Sequence, residues 1–415
     1  MRHTLFIILF ILLPFVIHAA DKPVKYKTLL SEAKAAVKNS KNQANAEKNL
    51  LAVINREDIS KEQRAEIYFM SEELQRSQND AENMKLYLKQ PYDTTKFFST
   101  ILKMHEYLLA CDSIETLPDE NGFVKYRHRN KSREILLTYR PNLLNGGKWF
   151  LKNAKYAEAY PFFDYYLTTP NAKILEQEVS VKNDTLLPRV AYWATLAAYN
   201  ANQPKNALKY IDRAIAGAPH SLRISLQEYK VRCYEVLKEE KNWVKNLQVG
   251  TELYPGHDYF YLNLMDVYSQ NNSYDKGIAL SDSMLQKVGS KAIYWYGKSQ
   301  MLLAKRDYDA TIKTAEEAIR CDSTMTDAYY NKGIAYLNKA IIFSETVCND
   351  IRNPKCKKDR ATLMELYRNA QEPMEQVRKR MPNETKRWAP LLYRIYLNLN
   401  MGDEFAEMEK ILNTQ

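Results

Sequence analysis

One register recurs along the chain at residues 207, 243, 277 and 311, in steps of 36, 34 and 34. Three of those four residues are small: Ala207, Gly277 and Thr311. The same register occurs at Ala159, 48 residues before Ala207, and at Ala370, 59 residues after Thr311. Those longer steps equal one 34-residue unit plus 14 and plus 25 residues. The first surplus fits the polar stretch around Lys182-Asn183-Asp184, and the second covers the Cys348–Cys356 region. A pattern that resumes in phase after an insertion is hard to obtain by chance. Such a beat points to stacked supersecondary units, none of which can bury its apolar face alone. With 11 Gly and 15 Pro in 415 residues, the chain lacks the frequent turns of an all-β protein.

The residues within each unit narrow the choice. TDAYYNKGIAYL (Thr326–Leu337) and RDYDATIKTAEEAIRCDS (Arg306–Ser323) resemble the two helices of the tetratricopeptide repeat. In that family position 4 is aromatic, 8 small, 11 Tyr, 20 small, 24 aromatic, 27 Ala and 32 Pro. Tyr329, Gly333 and Tyr336 fill positions 4, 8 and 11 of the unit starting at Thr326. Trp295, Ser299 and Ala318 fill positions 4, 8 and 27 of the unit at Ala292. Tyr261, Tyr268 and Gly277 fill 4, 11 and 20 of the unit at Asp258. In the unit at Ile224, Tyr234 and Pro255 match 11 and 32, but Trp243 stands where a small residue is expected. Ala207, Ala214 and Pro219 fit 20, 27 and 32 of the unit at Pro188. Gly147, Phe150, Ala159 and Phe163 fit 8, 11, 20 and 24 of an earlier one. After the long insertion, Ala370, Met374, Val377 and Pro382 match 20, 24, 27 and 32. Small residues let two helices approach, and aromatics fill the space between neighbouring hairpins. Many of the 30 Tyr therefore have a packing role.

The resemblance implies an all-α, TPR-like α-solenoid, a right-handed superhelix of antiparallel helix hairpins. Residues 21–140 read as divergent helical repeats, 141–342 as the regular array, 343–361 as an insertion loop, and 362–415 as a last helix with a capping hairpin. Near the N-terminus, KYKTLLSEAKAAVKN and AEKNLLAVIN pair as amphipathic helices. Ser60 and Gln63 form a capping box ahead of another helix. TTKFFSTILKMHEYLLAC is helical and SIETLPDENGF reads as a loop. Gly402-Asp403 marks the turn of the final hairpin. The C-terminal layout resembles exported tetratricopeptide proteins of Bacteroidetes.

Residues 1–20 have the form of a secretory signal: basic Arg2 and His3, an apolar run from Leu5 to Ile17, then Ala19-Ala20. No Cys follows that run, and no later segment is apolar enough to span a bilayer. The expected location is the periplasm or the periplasmic face of an outer membrane. Cys348 and Cys356 flank Asn353-Pro354, so a disulfide closing that loop and two independent thiols are both open readings. Cys233 and Cys321 fall in helical patterns and read as small core residues. The formal charge of +10 becomes +9 once Arg2 is removed (10 − 1). The excess sits in three runs, Lys125–Arg133, Lys355–Arg360 and Arg378–Arg387. Such runs suit anionic glycans or lipid headgroups better than nucleic acid, or else form solvated helix faces.

Signatures of catalysis are absent: no phosphate-binding Gly-rich loop, GxSxG, HExxH or CxxC. His105, His128, His220 and His257 are isolated and read as surface or loop residues, so no metal or cofactor is expected. Glu72-Glu73 and Glu316-Glu317 read as solvated faces. The family resemblance puts an inner groove on positions 2, 5, 9, 12 and 13 of each first helix. Those positions carry Arg189, Tyr192, Tyr199, Glu228, Arg232, Tyr259, Asp266, Gln270, Tyr296, Gln300, Tyr330 and Asn338. The set suits an extended protein or peptide segment. Position 9 holds Leu196, Arg232, Asp266, Gln300 and Ile334, so the Lys/Asn clamp of the family's chaperone-tail binders is missing. Asp followed by Ser or Thr and a third matching residue occurs at Thr94, Ser113, Thr185, Ser283 and Ser323, resembling the O-glycosylation sequon of Bacteroidetes exported proteins. Helix caps and turns are the alternative explanation. The expected role is a non-enzymatic scaffold binding protein partners in the periplasm, in outer-membrane assembly or secretion, with binding of an anionic envelope component through the basic runs as the alternative.

Overall fold

A computed structural model of the chain describes residues 24–119, 121–178, 183–348 and 353–414. The signal segment and Lys182 lie outside the described residues. The chain divides into two compact units, Met1–Gly217 and Ala218–Gln415. Among the described residues, the first holds four helical hairpins: α1 (Tyr26–Asn39) with α2 (Gln43–Ala52), α3 (Lys61–Tyr87) with α4 (Thr94–Glu115), α5 (Arg129–Lys152) with α6 (Tyr156–Thr168), and α7 (Leu187–Asn200) with α8 (Pro204–Gly217). The second holds five: α9 (His220–Val236) with α10 (Glu240–Leu253), α11 (Asp258–Gln270) with α12 (Tyr274–Val288), α13 (Ala292–Ala304) with α14 (Tyr308–Cys321), α15 (Thr326–Ser344) with α16 (Pro354–Arg380), and α17 (Thr385–Leu399) with α18 (Gly402–Asn413). No strand occurs among the described residues.

The repeat register has a backbone counterpart. Ala154, Asn202, Lys238, Asn272 and Arg306 all have positive φ, between 52° and 64°, in the turn that closes a hairpin. Each lies five residues before its position-20 residue, so their steps of 48, 36, 34 and 34 repeat the sequence beat. At each turn the next N–H reaches back to the carbonyl five residues earlier, as from Ser273 to Tyr268 at 2.8 Å and from Asp307 to Leu302 at 3.0 Å. This left-handed closure satisfies helix-end carbonyls, and glycine adopts it with least strain. None of these five residues is Gly. Arg306 is exposed, so Arg306→Gly is expected to raise stability by about 1 kcal/mol. Thermal melting checks this; a lower midpoint would show that the Arg306 side chain itself stabilises the turn.

Packing follows the small-and-large logic. A Cβ on Gly147 would lie 2.5 Å from the ring of Phe163, and one on Gly333 would run into Met374. Both pairs join positions 8 and 24 of one hairpin, α5 to α6 and α15 to α16. Between hairpins, the buried Tyr261 ring meets Tyr294 edge-on at 4.9 Å, and its hydroxyl lies 2.9 Å from Ser281 Oγ. The buried ring of α13 is thus Tyr294, one residue before the expected Trp295, which is half-buried.

Several boundaries differ from expectation. Helix α5 runs through Pro141, across the division drawn at residue 140. Its two terminal stretches are long enough that one lost backbone donor does not end it. Helix α16 starts inside the expected 343–361 loop, where Asn353 accepts the Lys355 N–H and Pro354 takes the first turn. Helix α4 continues through Ser113 to Glu115, whose buried carboxylate accepts the N–H groups of Arg127 and His128 at 2.9–3.1 Å. Gly402 is not in a turn but opens α18; the left-handed residue is Asn400, with φ 58°.

The first unit also has polar contacts that join α2 to α4 and α3 to α4. Glu47 accepts from Tyr107 at 2.6 Å, and Asn79 donates to Thr100 at 2.9 Å. Glu72 is fully buried, contrary to the solvated face expected for it. One of its oxygens accepts from Arg76 Nε at 2.9 Å, and the other has no partner. His105, expected at the surface, is buried inside α4, where desolvation lowers its pKa to about 4. Cys111 and Cys233 are buried, whereas Cys321 ends α14 exposed, with Sγ 3.2 Å from Ser290 Oγ, and so is not a core residue.

Candidate partner-binding face

The expected groove residues divide between the two units. Arg189, Tyr192 and Tyr199 lie on α7 in the first unit, Arg189 exposed and both tyrosines half-buried. The other nine lie on α9, α11, α13 and α15 in the second unit. There, α13 packs on α15 and α15 on α17, so the first helices of these three successive hairpins line up side by side.

That line-up joins side chains far apart in sequence. The Arg232 guanidinium stands 5.3 Å from the centre of the Tyr259 ring. Glu228 pairs with His257. Arg387, from α17, pairs with Asp327 and lies 4.3 Å from the centre of the Tyr330 ring. Burial, and then the Asp327 carboxylate, push the Tyr296 hydroxyl above its usual range; Arg387 opposes this and Asp266 adds to it. Tyr296, Asp327, Arg387 and Asp266 therefore share one electrostatic neighbourhood. Gln270 is exposed, and Gln300 and Asn338 are half-buried, each on the helix expected for it. Asp327 and Arg387 were missing from the expected set. Asp327 is position 2 of the unit starting at Thr326, and Arg387 is position 2 of the last hairpin, whose first position lies 14 residues before the left-handed Asn400; both share the register of Tyr259. Reading the last turn at Gly402 hid Arg387.

The register shared by backbone turns, small residues and buried rings settles the fold. It is the tetratricopeptide-repeat fold. Tetratricopeptide arrays among solved structures are similar to it. A TPR repeats protein from Bacteroides fragilis is 18% identical, with 62% of this chain and 98% of that one covered and a TM-score of 0.32. The C-terminal part of a TPR repeat-containing protein from Cytophaga hutchinsonii is 11% identical, with 63% and 97% covered and a TM-score of 0.35. The TPR2AB domain of yeast Sti1, solved as a pHSP90 complex, is 13% identical, with 62% and 98% covered and a TM-score of 0.23. No family model matches the chain, and no curated protein does.

The other expected sites fall as follows. Cys348 and Cys356 form a disulfide, with Cα atoms 4.8 Å apart, tying the start of α16 to the segment after α15. Among the sequon residues, Ser113, Thr185 and Ser323 are exposed, while Thr94 and Ser283 are half-buried. Their aspartates have structural partners: Asp93 caps α4, Asp184 pairs with Arg140 at 2.8 Å, Asp322 accepts the Thr324 N–H at 2.8 Å, and Asp282 pairs with Lys298 at 2.6 Å. The first basic run is largely spent inside the fold. Lys125 pairs with Asp119 at 3.1 Å, Arg127 with Glu66 at 3.8 Å, Arg129 with Asp112 at 3.4 Å and Lys131 with Glu73 at 3.4 Å. Arg133 donates to the Ile174 carbonyl at 2.8 Å. In the third run, Arg378 pairs with Glu407 and Arg387 with Asp327. A cleft of about 800 Å³ between α16, α17 and α18 is lined by Trp388, Tyr396, Glu375 and Glu404 among others, without His or Cys. No group of three His, Cys, Asp or Glu placed for a metal occurs among the described residues, nor does a helix long and apolar enough to cross a membrane.

Proposed function

We propose that the chain is a non-enzymatic scaffold that holds an extended segment of a protein partner on the first-helix face of its second unit. The supporting observation is the row of Tyr259, Tyr296 and Tyr330 on three successive first helices, with Arg232, Asp327 and Arg387 beside the rings. Rigid rings offer contact area at low entropic cost, and the flanking charges orient backbone and polar groups. The signal-like first 20 residues and the disulfide suit an exported protein working in an oxidising compartment, which we take to be the periplasm. Outer-membrane assembly or secretion would supply extended partner segments there. Anion binding through the basic runs is the weaker reading, because the first run is paired internally.

The test places a photo-crosslinking residue at position 296 or 330 in native envelopes, with exposed Lys313 on α14 as control. Partner adducts are expected from the first two sites and not from the third. Tyr259→Ala with Tyr330→Ala should weaken capture at least about tenfold without changing the melting midpoint by more than a few degrees. Equal crosslinking from all three sites would remove the proposal's basis.

A further inference from the structure

The hairpin turns of the first unit gather cations that no run in the sequence displays. Phe98, near the start of α4, lies 6.1 Å from Trp149, near the end of α5. The α3/α4 turn and the α5/α6 turn therefore share one edge of that unit. The first of these turns exposes four apolar side chains within five residues: Met84 at 58%, Leu86 at 42%, Tyr87 at 82% and Leu88 at 54%. Lys85 and Lys89 interleave with them. Lys152 and Lys155 stand exposed at the neighbouring turn. Opposing carboxylates are few: at the α5/α6 turn, exposed Glu158 stands in the first turn of α6. Glu82 is buried and already holds Lys85 and Lys96, at 3.0 and 3.5 Å, and Asp93 is engaged in capping α4.

We propose that this edge of the first unit docks on an anionic membrane surface, with Leu86, Tyr87 and Leu88 entering the interface and Lys89, Lys152 and Lys155 meeting lipid phosphates. Apolar side chains projecting from a turn suit a fluid interface, which a tip can penetrate; a protein partner would have to supply a matching pocket. Cations alone would be a solvated edge, and apolar groups alone would not distinguish lipids. Together on one edge they combine partial insertion with attraction to negative headgroups. The proposal does not depend on the partner-binding face of the second unit.

The test uses the full chain with vesicles of phosphatidylethanolamine and phosphatidylglycerol, and with vesicles of phosphatidylcholine alone. Amide hydrogen exchange over residues 83–92 is expected to slow on the anionic vesicles only, and salt should reverse the effect. The triple variant Leu86→Ser, Tyr87→Ser, Leu88→Ser should lower vesicle partition about tenfold or more. Lys89→Glu with Lys152→Glu and Lys155→Glu should lower it comparably at low salt. Both variants change exposed side chains, and circular dichroism verifies that they fold. Because the local exchange readout is confined to the tip, sedimentation through the apolar N-terminal segment cannot imitate it. Unchanged exchange over 83–92 on anionic vesicles overturns the proposal, as does equal slowing on both vesicle types. Loss of protein-partner capture in the serine variant, without vesicle protection, also overturns it and assigns the tip to a protein.

Discussion

Replacing Gly147 with Leu is expected to destabilise the first unit by about 3 kcal/mol or more. A Cβ alone would already stand 2.5 Å from the Phe163 ring, and Phe163 is fully buried with no room to withdraw. The remainder of a Leu side chain would force α5 and α6 apart at this contact. Helix propensity acts the other way, since removing a mid-helix Gly gains up to about 1 kcal/mol, but the steric term is larger. Urea unfolding measures the effect. Phe163→Leu combined with Gly147→Ala should recover part of the loss, because a smaller partner leaves room for the added methyl group. An unchanged midpoint for Gly147→Leu would mean that these helices do not meet as described.

A gain of stability is expected from Glu72→Gln, and only at higher pH. Desolvation pushes the Glu72 carboxyl up to about 7, while Arg76 partly counters the shift. A carboxyl whose pKa is raised on folding disfavours the folded state when ionised. Below its unfolded value of 4.5 the penalty is absent; it grows as pH rises towards 7 and is complete above that. A shift of this size corresponds to about 3 kcal/mol at pH 8. That figure is already net of the Arg76 interaction, which is among the causes that set the shift. The variant should therefore exceed the wild type by about 3 kcal/mol at pH 8 and show no advantage at pH 4 to 5. Comparing variant with wild type at each pH cancels the contribution of His105, which runs in the opposite direction: its lowered pKa gives stability that is lost as pH falls from 6.5 towards 4. A variant less stable than wild type at pH 8 would show that Glu72 serves the fold in its ionised form.

The hairpin core was legible because steric constraint acts one position at a time. Gly147, Gly333, Ala207 and Tyr261 are dictated by helix–helix distance, and a sequence records that constraint directly. What escaped notice depends on which way a polar residue faces. Glu72 and Glu73 are adjacent and chemically alike, yet Glu72 is buried and Glu73 is not, because α3 is covered by α4 along much of its length. Cys321 sits in an apolar helical pattern but ends its helix in solvent. The proposed partner-binding face is half legible: Tyr259, Tyr296 and Tyr330 follow from register, whereas Arg387 is hidden when the last turn is placed at Gly402. The basic runs misled for a related reason. Adjacent cations in sequence found separate carboxylates in space, while lysines far apart in sequence met at the turns.

The unit from Asp258 to Lys291 begins and ends in the same phase, its left-handed turn at Asn272 one full beat before that of the next unit at Arg306. Such a chain can be edited like a text of equal lines. A whole line can be duplicated or removed and its neighbours still meet the surfaces they expect, while a fragment of a line must be set in the margin. The two surplus stretches are margins of this kind, one between α6 and α7 and the other taken up by the longer helices α15 and α16 and the link that joins them. Reach, and with it the length of segment that the proposed partner face could hold, is thus open to change by simple duplication, without redesigning any single contact.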